Sequence, residues 1–183
     1  MIQEQLAFLP EFLPDYRPFS PAKERAAWQG LPLRVKQRFL QAGDAALQTP
    51  IAPLPLSLWL NFIHTGQRTP WETAYFSRRA RLCALVCAEC VEHTGRFLDA
   101  IADTVWSLCE ESAWQLPAHN SYVRDTPQLP LPDTTRPIVD LFAAETGALL
   151  ALTRYLLPDE LDAAAPGITA RMEQELDARI LTP

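Results

Sequence analysis

Residues 69–95 read TPWETAYFSRRARLCALVCAECVEHTG, and this stretch decides the fold class. Thr69 stands where a helix N-cap belongs, Pro70 at the first helical position and Glu72 three residues after the cap. That spacing predicts a capping box, in which the Thr and Glu side chains each satisfy a backbone N–H at the other's position. The helix is expected to run to about His93, with Gly95 ending it. Outward from it, no segment shows the apolar–polar alternation of a strand. The chain therefore reads as all-α.

On the N-terminal side, Ser57 is expected to cap a short helix that ends at Thr65-Gly66. Residues 49–56, TPIAPLPL, form a rigid connector. A firmer helix is expected over 32–48, with Leu33, Val35, Phe39, Leu40 and Leu47 inward, and a short one over 22–29. Residues 1–21 read as an extended, Pro-punctuated arm whose Phe8, Phe12, Tyr16 and Phe19 pack onto a helical domain of residues 22–183. On the C-terminal side, helices are expected over 96–112, from Pro137 to about Leu157, stopped by Pro158, and from Pro166 to about Leu181. Between the first two lies a long loop, 113–135, with Pro117, Pro127, Pro130 and Pro132. Long helices joined in sequence imply antiparallel hairpins side by side. No strict repeat is present, so an irregular α/α array is expected rather than a solenoid.

The chain has 183 residues, enough for one domain with a sizeable core. Apolar residues make up 48% and charged residues 21%, as in a globular protein, and the 17 prolines against 6 glycines imply stiff loops. A net charge of −6 argues against a general nucleic-acid binder. The N-terminus does not read as a signal peptide, and no apolar run is long enough to span a bilayer, so no membrane partner is expected and the default address is the cytoplasm. The four cysteines are expected to stay reduced there.

Cys83, Cys87, Cys90 and His93 fall on one stripe of one helix. A metal or redox site is one reading, but Cys83 to His93 spans about 15 Å at 1.5 Å per residue, too far to surround one tetrahedral ion. Burial of the cysteines as small core residues is the favoured reading, with no metal and no cofactor. Glu89 and Glu145 stand on apolar stripes. Each must find a partner, stay protonated or face a cleft. The readings are a raised-pKa acid or base, a buried ion pair to Arg78, Arg79, Arg81 or Arg154, or a misjudged helix face. The ion pair is favoured. His64, beside Thr65-Gly66, reads as structural.

The segment Trp114-Gln-Leu-Pro-Ala-His119-Asn120-Ser-Tyr122 combines aromatic faces, an imidazole, an amide and a phenol at the start of a long loop. Such groups suit a sugar ring, with its apolar faces and polar rim. The competing reading is a helix-capping loop around a core Trp. No GxSxG, GxGxxG, Walker-type GK[ST], HExxH or CxxC pattern occurs, so no nucleotide site or hydrolase triad is signalled.

Several of these stretches together resemble the early toroid helices of heparinase II/III-like polysaccharide lyases. They are Trp59-Leu-Asn-Phe-Ile-His-Thr65-Gly66-Gln-Arg68, Tyr75-Phe76-Ser-Arg78-Arg79, Cys87-Ala-Glu89-Cys90, Cys109-Glu110-Glu111-Ser-Ala-Trp114, Leu116-Pro-Ala-His119-Asn120, Asp140-Leu-Phe-Ala-Ala-Glu145-Thr146 and Arg179-Ile-Leu-Thr-Pro183. The resemblance covers the chain from about residue 10. It implies a partial (α/α) toroid, which in such proteins precedes β-sheet domains. It also implies cleavage of uronate-containing glycans by β-elimination, in which a base takes the C5 proton, a neutral polar group stabilises the carboxylate and the glycosidic oxygen leaves. Family members use Asn or His with Tyr from the toroid, and commonly a His from the β region. The resemblance places the catalytic Asn and Tyr beyond the equivalent of Pro183, so no catalytic residue is assigned here and activity is not expected of these helices alone. Trp114, His119, Asn120 and Tyr122 are the expected substrate-binding residues. The implied partners are an acidic polysaccharide and the C-terminal remainder of the toroid. The alternative is a non-catalytic helical scaffold that binds a protein partner.

Overall fold

The computed structural model describes residues 17–183. Its elements are α1 (Arg25–Gln29), α2 (Leu33–Gln48), α3 (Leu56–Thr65), α4 (Thr69–Glu92), α5 (Leu98–Cys109), a 3-10 turn (Pro117–His119), α6 (Leu141–Leu156), α7 (Pro158–Ala164), α8 (Ile168–Leu176) and a closing π-helical turn (Asp177–Leu181). Among the described residues there is no strand, so the chain is all-α. Among them, too, no helix is long and apolar enough to cross a membrane.

Helix α4 is the spine. Leu82, Leu85, Val86, Ala88 and Cys90 are buried along its second half, against Phe97, Ile101, Val105 and Leu108 of the α5 region. Each large side chain removed from water there contributes roughly 1.5–3 kcal/mol. Helix α2 lies against α4 through Gly43 and Ala46. A Cβ on Gly43 would collide with the Cβ of Ala88 and come within 2.9 Å of the Phe97 ring, so the absence of a side chain sets how closely α2 approaches. Leu150, Leu157, Leu161 and Met172 bring α6, α7 and α8 onto the same core. A second apolar cluster, Trp59, Trp71, Tyr75, Ala113 and Leu116, gathers α3 and the first half of α4.

Arg25 closes the C-terminal end of α4 by donating to the carbonyls of Cys90 (2.7 Å) and Val91 (2.8 Å), a favourable place for a cation on a helix. The segment before α1 is tied to α6: Ala22 N–H donates to the Leu156 carbonyl at 2.9 Å, and the Tyr155 hydroxyl donates to the Phe19 carbonyl at 2.9 Å. The Phe19 ring is exposed rather than packed on the body. Phe8, Phe12 and Tyr16 lie outside the described residues.

Several local expectations change. No capping box forms: Thr69 is already helical, the N-cap is Arg68, and Glu72 accepts from the Arg68 guanidinium at 2.7 Å. Arg68 captures the carboxylate that the box required. Helix α6 starts at Leu141, not Pro137, because Asp140 is the N-cap and its Oδ1 accepts from Ala143 N–H at 2.7 Å. Pro158 does not only stop a helix. It also occupies the first turn of α7, where its missing N–H costs nothing. Leu33 and Cys83 are exposed, while Cys90 and Cys109 are buried, and all four cysteines are unbridged.

The two carboxylates separate. Glu145 is exposed, since α6 turns Ala143, Thr146, Gly147, Leu150 and Thr153 inward and leaves Leu141 74% exposed. The small residues let α6 sit close to its neighbours, while Leu150 and Leu156 reach the core and Leu141 is left outside it. Glu89 is buried, and its partners are backbone rather than arginine: it accepts from Gly95 N–H (2.8 Å) and Phe97 N–H (3.2 Å) at the entrance of α5.

Candidate functional site

The segment that follows α5 is held from below by a buried charged hub. The Glu111 carboxylate takes both arginines of the Arg78-Arg79 pair. Arg79 donates to it in bidentate fashion at 2.9 and 2.6 Å, and Arg78 at 3.0 Å. The Arg79 guanidinium also lies 3.3 Å from the centre of the Tyr75 ring and donates to Thr146 Oγ1 at 3.1 Å. The Tyr75 hydroxyl sits among the carbonyls of Trp114 (2.8 Å) and Phe142 (3.0 Å) and Thr146 Oγ1 (2.8 Å). Burial pushes its pKa up to about 12, against the opposing pull of Arg79. Tyr75 is thus a neutral strut joining α4, the loop and α6.

Arg179, from the closing π turn, reaches the same place. It donates to the carbonyls of Glu111 and Cys109 (3.0 Å for the latter) and lies 4.8 Å from the Trp114 ring. Those carbonyls are at the open end of α5, which a guanidinium is suited to cover.

Each sequence-predicted site residue then finds its place. Trp114 is buried, and its indole N–H donates to the Leu108 carbonyl at 2.9 Å. Asn120 is fully buried. Its Oδ1 accepts from Gln115 Nε2 at 3.0 Å and its Nδ2 donates to the Leu129 carbonyl at 2.8 Å. These two shape the loop from inside. Tyr122 is exposed at 38%. Its hydroxyl donates to Asp133 Oδ2 at 2.9 Å and Arg136 lies over its ring at 4.1 Å.

His119 is the chemically open member. Its side chain is 37% exposed, and its Nδ1 lies 2.6 Å from Asp140 Oδ2. Asp140 is held in turn, since it is the α6 N-cap and its Oδ2 also accepts from Leu116 N–H at 3.3 Å. A carboxylate on one ring nitrogen fixes the tautomer and leaves the Nε2 lone pair without a partner among the described residues. The imidazole stacks on Phe142 at 5.6 Å and 23°, and Phe142 meets the exposed Phe76 edge at 5.5 Å. The result is an apolar apron with one oriented imidazole at its rim.

Sequence reasoning missed Asp140 as a partner of His119 and Arg79–Glu111 as the support. One signal was available: Trp71, Tyr75 and Arg79 recur every four residues, on a stripe that continues toward Leu82 and Val86. Among the described residues, no three His, Cys, Asp or Glu side chains gather as a metal site. No family model matches the chain, and no curated protein matches it.

Proposed function

We propose that this chain forms the opening antiparallel hairpins of an (α/α) toroid of the heparinase II/III-like kind, and that His119 presents Nε2 to a uronate-containing glycan. The observation that carries this reading is the His119–Asp140 pair beside Phe142 and Phe76. An aromatic apron accepts the apolar face of a sugar, and a histidine with a fixed tautomer accepts a hydroxyl proton or, once protonated, donates to an oxygen. β-Elimination needs a positioned base and stabilisation of the developing negative charge together. One dyad supplies a single proton-handling group, so the other groups of such a reaction belong to further toroid segments. Trp114 and Asn120 then serve the site by holding the loop, and His119 and Tyr122 by contact.

The test has two arms. Incubated with heparin, heparan sulfate or alginate, residues 1–183 are expected to form no unsaturated uronate product, read by absorbance. Acidic oligosaccharides are expected to bind weakly, because a partial cleft must still offset lost translational freedom, and His119→Ala is expected to abolish that binding with the fold intact. Robust product formation would return His119 to candidacy as a catalytic acid or base of this chain. Binding indifferent to His119→Ala would sink the glycan reading. It would favour a protein-binding scaffold, for which the exposed Leu141 and Phe76 beside the dyad are the supporting observation.

A further inference from the structure

A second cleft, whose lining does not include His119, opens along the 110–113 segment. It encloses about 480 Å³ between Trp59 and Trp71 on one side and Ser112 and Ala113 on the other, with Leu131 and Pro132 at its edge. That volume falls within the range of small-molecule sites. Trp59 and Trp71 meet edge to face, 5.1 Å apart and at 86°, which makes a stiff apolar corner.

The Trp71 indole carries the argument. It is only 7% exposed, and its N–H has no acceptor among the described residues. The other buried or half-buried tryptophans are all satisfied: Trp28 by the Ser20 and Pro21 carbonyls, Trp59 by the Pro130 carbonyl at 3.1 Å and Trp114 by the Leu108 carbonyl. Buried donors are nearly always paired. Among the described residues the side-chain exceptions are Trp71 Nε1 and Arg154 Nε, and of these only Trp71 lines the cleft, where it calls for an acceptor that those residues do not supply. Charge narrows the choice. Arg78, Glu110 and Glu111 line the cleft. Arg79, behind it, shares Glu111 with Arg78, and Arg171, which lines the neighbouring cleft, meets Glu110 at 3.1 Å, so the network around this wall holds three guanidinium groups and two carboxylates. The next pair outward, Glu175 with Arg179, leaves that balance unchanged. One positive charge is in excess across that network, centred on the Arg78, Arg79 and Glu111 cluster, which is largely out of water, so that the charge is felt more strongly there.

We propose that this cleft binds a ring-shaped carboxylate, whose ring lies against the tryptophan corner and whose carboxylate oxygen accepts from Trp71 N–H. The ring can belong to a sugar acid or to an aromatic acid, since both present an apolar face and one negative charge. The inference rests on Trp71 and the surrounding charges, and it stands independently of the His119 reading.

Indole N–H signals of ¹⁵N-labelled protein test it, titrated separately with D-glucuronate, benzoate and their neutral counterparts glucose and benzyl alcohol. The Trp71 signal, assigned by its loss in Trp71→Phe, is expected to move with one of the acids. The matching neutral compound should need at least about tenfold more for the same effect. A response to glucuronate alone assigns a sugar acid, and one to benzoate alone an aromatic acid. Trp71→Phe keeps an aromatic ring, so its thermal transition should stay close to that of the parent while affinity, followed at the Ser112 amide, falls about tenfold. Glu145→Gln, on the exposed face of α6, should bind like the parent. A Trp71 signal that neither acid moves overturns the proposal, as do neutral compounds that bind as well as the acids. Either failure leaves the His119 reading standing, because that is measured with oligosaccharides and a different variant.

Discussion

The two halves of α4 meet different surroundings. From Leu82 to Val91 the inward face touches hydrocarbon, and its one buried carboxylate, Glu89, is absorbed by backbone N–H groups. From Thr69 to Arg79 the inward face carries Trp71, Tyr75 and Arg79, and meets Glu111, Thr146 and loop carbonyls. The second half is interchangeable with any well-filled core. The first half is specific, because every polar group in it requires a particular partner at a particular place. Taking ions out of water is costly, and a hydrophobic replacement of similar volume is often as stable. A buried hub of this kind is therefore better understood as positioning the loop than as strengthening the fold.

That contrast is breakable. Glu111→Ala strands two buried arginines and is expected to cost about 3–5 kcal/mol, read from the denaturant midpoint. Combining Arg78→Met and Arg79→Met with Glu111→Leu leaves no stranded charge, and should recover much of that loss while still disturbing the 110–120 loop, visible in the amide spectrum of His119. If the triple variant is as unstable as Glu111→Ala, the hub is holding the fold together and the contrast fails. In the apolar half, Gly43→Ala forces a methyl group onto Ala88 and the Phe97 ring and should cost about 1–3 kcal/mol through overpacking. A neutral result would mean that α2 shifts away from α4 at no expense. At the small end, Glu145→Ala should stay within about 0.5 kcal/mol of the parent, as exposed substitutions do. A larger loss would mean that α6 is rotated from the orientation described.

Much of the backbone was readable beforehand. Helices α2, α3 and α4 end within a residue or so of where the pattern puts them: Thr49 turns extended ahead of Pro50 after α2, and Gly66 and His93 take left-handed values after α3 and α4. The faces were harder. Scoring by hydropathy sends Arg79 to the surface and Leu141 inward, whereas bidentate pairing buries the arginine and Ala143, Thr146 and Gly147 share the α6 interface with Leu150 and Leu156. The loop from Trp114 to Tyr122 was recognisable as chemically rich. Which of its side chains support and which present was not, since that depends on partners far along the chain. Asp140 lies 21 residues beyond His119, and Arg179 lies 70 residues beyond the Cys109 carbonyl to which it donates.

The π turn at the close of the last helix has a consequence for inheritance. Thr182 N–H donates to the Asp177 carbonyl, five residues back, at 2.9 Å, so this turn holds one residue more than an α-helical turn would. Arg179 and Ile180 sit within it, the first on the end of α5 and the second against Gly147 of α6. Deleting one residue here would restore ordinary helix and swing everything after it by about 100°. Both contacts would then be lost without any change to the residues that make them. The exposed positions of this turn are free to vary in kind but not in number: a lineage can rewrite its letters, yet a single-codon deletion there would unseat the loop more than 50 residues upstream.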